Sequence, residues 1–84
     1  MLANESEEKD IEYLHHFFKK QCRTSWSPDD SAFRYVLALS SAENVRKAII
    51  IASGQVRTGA VDKWRYTNGI LRNWAKEEKC RVDG

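Results

Sequence analysis

The sequence predicts an all-α domain, a compact bundle of about four helices, and three observations carry this prediction. Apolar residues recur at three- and four-residue steps in four separate segments, which is the spacing of one face of an α-helix. Residues typical of helix starts and stops fall between these segments. The chain has 84 residues, of which 42% are hydrophobic and 31% charged, a balance expected of one folded domain rather than a disordered segment.

The first helix is predicted from residue 10 to residue 22. Its apolar face is formed by Ile11, Leu14, Phe18 and Cys22. Upstream of it, the carboxylates between Glu5 and Asp10 predict an acidic, flexible N-terminal segment over residues 1–10.

The second helix is predicted to begin at the Ser-Pro-Asp-Asp run. Ser27 has the side chain of an N-cap, and Pro28 suits the first helical position because its missing N–H is not needed there. Trp26, just before this cap, is expected to pack back onto Phe33 or its neighbours. The buried stripe that follows is formed by Phe33, Val36 and Leu37.

The third helix is predicted to follow at once, because Ser40 and Glu43 have the spacing of a capping box. One face consists of Val45, Ala48, Ile49 and Ala52. Ile50 and Ile51 widen this face, which predicts a central helix surrounded on several sides. Gly54 is expected to end the helix in the left-handed conformation.

The fourth helix is predicted to start after a glycine-containing connection over residues 54–61 and to run from Asp62 to about Lys79. Its apolar residues are Trp64, Tyr66, Ile70, Leu71 and Trp74. Gly69 lies inside it, which predicts tight packing or a close backbone approach there. The helical domain is thus expected over residues 11–80, with a frayed end over residues 81–84.

Several function classes are excluded by what the sequence does not contain. No apolar stretch approaches the roughly 20 residues that a membrane span needs, and the acidic start differs from a signal peptide, so we expect a cytoplasmic protein. His15, His16, Cys22 and Cys80 lack the paired spacing of a zinc site, so we expect reduced thiols and no metal or other cofactor. No nucleophile turn or phosphate-binding glycine loop occurs, so no catalysis is expected.

Charge is distributed unevenly along the chain. Residues 1–12 carry five acidic residues against Lys9, a net charge of −4, whereas residues 55–84 carry seven Lys or Arg against four acidic residues, a net charge of +3. This polarity is compatible with a phosphate-facing surface near the C-terminal end, and equally with the solvated exterior of a small domain.

Tyr66, Ile70 and Trp74 stand at four-residue steps, along one slowly rotating stripe of the fourth helix. The segment Tyr-Thr-Asn-Gly-Ile-Leu-Arg-Asn-Trp resembles the Tyr-xxx-Ile-xxx-Trp signature of the DnaD-like domain, and its last five residues are similar to the Ile-Leu-x-Asn-Trp usual there. This is the C-terminal domain of the DnaB/DnaD family, found in replication-initiation and helicase-loading proteins of low-GC Gram-positive bacteria and their phages. The order of helices upstream of the signature is also similar to the family's usual order, so the resemblance covers residues 11–79.

The resemblance implies a DnaD-like bundle that binds DNA, mainly single-stranded and with little sequence preference, in replication initiation or helicase loading within the primosome. The residues expected to contact DNA are Lys63, Arg65, Tyr66, Arg72, Lys76, Lys79 and Arg81. Two interpretations of Tyr66 and Trp74 remain open. Their rings are either exposed and stack on bases, or buried against the other helices. The alternative function is a protein-interaction module that docks a replication initiator or helicase without binding DNA itself.

Overall fold

The structure is a computed structural model that describes the backbone of residues 2–83 and the side chains of residues 7–77. Over this part of the chain it is all-helical, which confirms the predicted fold class. The four helices are α1 (Leu2–Cys22), α2 (Asp30–Leu39), α3 (Ala42–Gln55) and α4 (Ala60–Asp83). None of the described helices combines the length and the apolar character needed to cross a membrane.

The helices pack in a ring in which each one makes more contacts with its two neighbours than with the helix across from it. α3 packs on α4 and on α1, and α2 packs on α1 and on α4, while the contacts across the ring are weaker. The α1–α3 pair and the α2–α4 pair therefore form opposite sides of the bundle. Along the first pair, the Tyr13 ring meets the Arg46 guanidinium and the Gln21 amide donates to the Ser53 hydroxyl at 3.5 Å, so α1 and α3 run in the same direction.

Three aromatic rings from three helices meet at the centre of the core. Phe18, Phe33 and Trp64 come from α1, α2 and α4, and the Trp64 ring packs edge-on against both Phe33 at 5.1 Å and Phe18 at 5.9 Å between centroids. Edge-to-face pairs at these distances are favourable beyond the area that they bury. Of the predicted α1 face, Ile11, Leu14 and Phe18 are buried and Cys22 is partly buried. The predicted face of α3 is confirmed, since all four of its residues are buried: Val45, Ala48, Ile49 and Ala52.

α1 is longer than the sequence predicts, because its backbone is helical from Leu2 rather than from Asp10. The acidic segment over residues 1–10, predicted to be flexible, therefore belongs to a helix from Leu2 onward. At the other end, Arg23 adopts a left-handed conformation (φ 54°), and the Thr24 amide donates to the Lys19 carbonyl at 3.0 Å. This is a Schellman-type stop with arginine at the position that usually holds glycine.

The start of α2 differs from the prediction. The helix begins at Asp30, and its N-cap is Asp29, whose side chain makes no capping hydrogen bond. Ser27 does not cap the helix, because its hydroxyl is hydrogen-bonded to His15 instead. The ring of Trp26, expected to pack onto Phe33 or its neighbours, makes an aromatic contact with Phe18 at 5.8 Å.

The start of α3 is shifted by one residue from the predicted capping box. Ser41, not Ser40, is the N-cap, and its hydroxyl accepts a hydrogen bond from the Asn44 amide at 3.2 Å. The Ser40 hydroxyl accepts one from the Asn44 side chain at 2.8 Å. Glu43 does not reach back to the cap; it forms an ion pair with Lys47 at 3.5 Å.

Glycine marks neither the end of α3 nor a close contact in α4. α3 continues through Gly54 to Gln55, and none of the described glycines has a positive φ. α4 begins at Ala60, two residues before the expected cap, and its backbone is helical through Asp83, so the end predicted to fray is helical over residues 81–83. A Cβ atom on Gly69 would have no heavy atom within 4 Å, so the predicted tight packing there is wrong.

The two isoleucines expected to widen the buried face of α3 are largely outside the core. Ile50 is 48% exposed and Ile51 is 39% exposed. α3 does contact every other helix, but one side of it faces solvent. Three consecutive isoleucines span about 200° of a helix, so they cannot all share one interface.

Candidate nucleic-acid interface

The inner face of α4 determines which of its residues remain available for binding. Trp64, Thr67 and Leu71 are buried, and Trp74 is half-buried against the same core cluster. The steps between them, three, four and three residues, keep all four on one side of the helix. Thr67 is tolerated in the core because its hydroxyl donates to the Lys63 carbonyl of the preceding turn at 2.8 Å.

Three cations lie together on the outer face of α4, and we call this set the α4 basic stripe. It consists of Arg65, Arg72 and Lys76, and all three side chains are exposed. At about 100° per residue they fall within roughly 40° of one another around the helix axis. Among residues 7–77, the Asp30 carboxylate contacts His15 and the Glu43 carboxylate contacts Lys47, and no described carboxylate contacts the stripe.

An exposed tyrosine from a second helix lies beside the α4 basic stripe. Tyr35 of α2 is 48% exposed, and the Arg72 guanidinium lies 5.9 Å from the centre of its ring. The arginine and the ring attract each other through a cation–π interaction, which holds the guanidinium close to α2. Nothing in the sequence predicted this pair, because Tyr35 and Arg72 are 37 positions apart and only the packing of α2 against α4 brings them together.

The other residues expected to contact DNA are separated from the stripe. Tyr66 is 41% exposed but lies about 100° around the helix from Arg65, its neighbour in sequence. The Lys63 ammonium donates to the Thr58 carbonyl at 2.9 Å and so belongs to the α3–α4 connection. The side chains of Lys79 and Arg81 lie outside the described residues.

The Tyr66, Ile70 and Trp74 stripe does not face a single environment. Each four-residue step advances about 40° around the helix, so the stripe turns by about 80° from its first member to its last. Tyr66 therefore faces solvent, whereas Ile70 and Trp74 are half-buried and pack against the core. For Trp74 the structure favours burial as the main role, and for Tyr66 it favours exposure.

Gly69 lies within the α4 basic stripe, between Arg65 and Arg72. It is exposed, and the space where a Cβ would project is open. Since glycine has no side chain, the helix backbone is the outermost surface at this point. An extended ligand that lies along the cations can therefore approach the helix axis more closely here than elsewhere on the stripe.

His15 links α1 to the beginning of α2 through two short hydrogen bonds. Its Nδ1 lies 2.6 Å from the Ser27 hydroxyl, and its Nε2 lies 2.6 Å from the Asp30 carboxylate. The imidazole also packs edge-on against Phe33 at 4.8 Å. We call this arrangement the His15 clamp, because it ties α1 to the beginning of α2. It hydrogen-bonds Ser27 and Asp30 at a helix start where the N-cap side chain makes no capping hydrogen bond.

A surface cleft of about 440 Å³ lies between the N-terminal half of α1 and the α2–α3 junction. Glu7 and Asp10 line it together with Arg34 and residues near the start of α3. Two carboxylates against one cation disfavour a phosphate ligand, so this cleft is not a candidate for nucleic-acid binding. The α4 basic stripe with Tyr35 is the better candidate on electrostatic grounds.

In comparisons with known proteins, the chain matches no family model, no curated protein and no solved structure.

Proposed function

We propose that this chain is a nucleic-acid-binding module that holds single-stranded DNA along the α4 basic stripe. The observation that carries the proposal is the alignment of Arg65, Arg72 and Lys76 on one exposed side of a helix, with no described carboxylate paired to them. Cations placed in this way release counterions from a phosphate backbone on binding, which supplies affinity without reading the base sequence.

Tyr35 supports a preference for single strands over duplex. An exposed aromatic ring beside phosphate-binding cations offers a surface on which an unpaired base stacks, worth about 1 to 3 kcal/mol per base. In a duplex the bases are already stacked on each other and present only their edges in the grooves. A ring that is 48% exposed and lies next to Arg72 therefore favours the unpaired strand.

The setting that we propose is DNA replication initiation or helicase loading, as in the DnaD-like domains that the Tyr66, Ile70 and Trp74 spacing resembles. The structural properties fit an accessory module of this kind, because the described surface offers charge and stacking rather than a deep pocket. In this proposal Ile70 and Trp74 hold α4 against the bundle, while the cations on its other side contact the strand.

The proposal is tested by fluorescence anisotropy with labelled single-stranded and duplex oligonucleotides of equal length at two salt concentrations. We expect binding that weakens steeply with salt. Changing Arg72 and Lys76 together to alanine is expected to lower the single-strand affinity roughly tenfold and to reduce the slope of log K against log salt by about 1.4, since each phosphate contact contributes about 0.7.

The matched control removes two cations elsewhere. Lys47 is paired with Glu43, and Arg57 is exposed in the α3–α4 connection, so changing both to alanine alters the net charge equally but leaves the α4 basic stripe intact. This control is expected to bind nearly as the wild type does. No binding of either oligonucleotide at low salt, or equal losses in the two variants, would refute the proposal.

A second pair of variants tests the stacking role of Tyr35. Tyr35→Leu is expected to lower the ratio of single-strand to duplex affinity severalfold, whereas Tyr66→Leu, which changes a similarly exposed tyrosine off the stripe, is expected to leave this ratio unchanged. An unchanged ratio in Tyr35→Leu would remove the stacking argument and leave the phosphate contacts untouched.

A further inference from the structure

A second surface combines an exposed tyrosine with cations, on the side of the helix ring opposite Tyr35 and Arg72. Tyr13 of α1 is 48% exposed, and the Arg46 guanidinium of α3 lies 5.9 Å from the centre of its ring. The Tyr13 ring also stacks on Phe17, with centroids 5.9 Å apart and ring planes 26° apart. Two rings and a guanidinium thus lie together where α1 meets α3.

Two further cations share the exposed side of α1 with Tyr13. Lys9 and Lys20 stand four residues before it and seven residues after it, which places them on one side of the helix, and both are exposed. Glu12 lies about 100° around the helix from Tyr13 and at three-residue spacing from Lys9, whereas Lys20 has no carboxylate three or four residues from it. In the part of the chain whose side chains are described, none of these cations forms an ion pair.

This surface, which we call the α1–α3 surface, has the same elements as the candidate site on α2 and α4. Each combines a tyrosine that is 48% exposed, an arginine 5.9 Å from its ring and further unpaired cations along one helix. The helix ring places the α1–α3 pair and the α2–α4 pair on opposite sides, so a strand bound on one does not cover the other.

We propose that the α1–α3 surface is a second binding site for single-stranded nucleic acid, so that one chain holds two strand segments at once. The class of ligand is taken from the proposed function, on which this inference rests. The location of the second site is argued from the arrangement of Tyr13, Lys20 and Arg46. In this arrangement the tyrosine ring stacks against an unpaired base, while Lys20 and Arg46 contact the phosphates on either side of it.

The test counts strands per chain. Native mass spectrometry at low salt is carried out with an oligothymidine of about eight nucleotides, a length within the range of single-strand site sizes. The wild type is expected to carry two oligonucleotides per chain. Lys20→Ala combined with Arg46→Ala is expected to carry one, and adding Arg72→Ala and Lys76→Ala to that variant is expected to abolish binding.

Two additional variants serve to separate loss of the second site from a loss of folding or of net charge. Lys9→Ala combined with Lys20→Ala removes only exposed side chains of the α1–α3 surface, and it is expected to weaken the second binding event at least threefold while the helical circular dichroism is retained. Lys47→Ala combined with Arg57→Ala serves again as the charge-matched control and is expected to keep two strands.

The outcomes separate the two proposals. One oligonucleotide per wild-type chain, unaffected by the Lys20 and Arg46 changes and lost with Arg72 and Lys76, overturns the second site and leaves the proposed function intact. Binding that depends on Lys20 and Arg46 but not on Arg72 and Lys76 supports the α1–α3 surface and overturns the assignment to α4. No bound oligonucleotide overturns both.

Discussion

Replacing Gly69 by alanine is expected to stabilise the protein. Gly69 is the tenth residue of the 24-residue helix α4, it is exposed, and an added Cβ would meet no atom within 4 Å. The change therefore introduces no clash and gains the full difference in helix propensity, about 0.8 to 1.0 kcal/mol, mainly by reducing the conformational freedom of the unfolded chain. For a domain of this size, that gain corresponds to an increase in Tm of about 4 to 8 °C.

Two other glycines provide controls for this prediction. Gly54 is also free of contacts, but it lies in the last turn of α3, so Gly54→Ala is expected to gain less than half as much. Gly59 precedes α4, and its carbonyl accepts the first helical hydrogen bond, from the Lys63 amide at 3.1 Å. Alanine is a poorer N-cap than glycine, so Gly59→Ala is expected to lose roughly 0.5 kcal/mol.

The assay is thermal and urea unfolding followed by circular dichroism at 222 nm, with the three variants measured beside the wild type. The expected order of stability is Gly69→Ala, Gly54→Ala, wild type, Gly59→Ala. A Gly69→Ala protein that is equal to or less stable than the wild type would show that the backbone at this position is held by a contact or a conformation that the structure does not contain. The reasoning from helix propensity would then be wrong.

Three further predictions concern the clamp, the core and the thiol. His15→Ala is expected to lower the free energy of unfolding in urea by about 1 to 2 kcal/mol, because two short hydrogen bonds and a ring contact are removed. The control His16→Ala, which changes an exposed neighbour, should stay within about 0.5 kcal/mol of the wild type. Equal effects of the two changes would contradict the clamp. Trp64→Ala is expected to lose about 3 to 5 kcal/mol, and a cooperative unfolding transition at the wild-type midpoint would contradict the role of this ring. Burial raises the pKa of the Cys22 thiol despite the opposing charge of Lys63. In a Cys80→Ser background, alkylation of Cys22 by iodoacetamide should therefore reach half its limiting rate at a higher pH than alkylation of a free cysteine. A half-maximal pH at or below that of a free cysteine would contradict the raised pKa.

The raised pKa of Cys22 also has a consequence for stability. The thiol ionises more easily in the unfolded chain than in the folded protein, so its contribution to folding is complete below the unfolded pKa and is lost as pH rises through the folded pKa. The contribution is small because the thiol is only partly buried. The pH dependence of stability and the shifted alkylation profile have the same cause, since burial favours the neutral thiol.

The sequence predicted the buried faces well wherever apolar spacing alone defines them. Ile11, Leu14 and Phe18 on α1 are buried as expected, as is the inner face of α3. The capping predictions were less accurate, because several serines compete for each helix start. Ser27 bonds His15 across the bundle, and Ser41 rather than Ser40 caps α3, and neither choice is visible in local sequence.

The candidate site was predicted only in part, for a similar reason. The sequence prediction named Arg65, Arg72 and Lys76 only within a larger set of expected DNA contacts, and it did not distinguish these three from Lys63, whose ammonium is bonded to the α3–α4 connection. Tyr35 and Tyr13 were missed, since their cation partners come from other helices and depend on how the bundle packs. Thr67 was missed as a core residue because its hydroxyl is satisfied within its own helix, a property that a hydrophobic pattern does not contain.

The meeting of Phe18, Phe33 and Trp64 at one point makes the bundle indivisible. The Trp64 ring packs on both phenylalanine rings, so a fragment that lacks α1, α2 or α4 would present a large aromatic surface to water without its partners. Stable two-helix or three-helix pieces are therefore not expected from proteolysis or from splitting the gene. The helices should form and unfold together, as a single cooperative unit, and the tryptophan emission should follow the same transition as the helical signal.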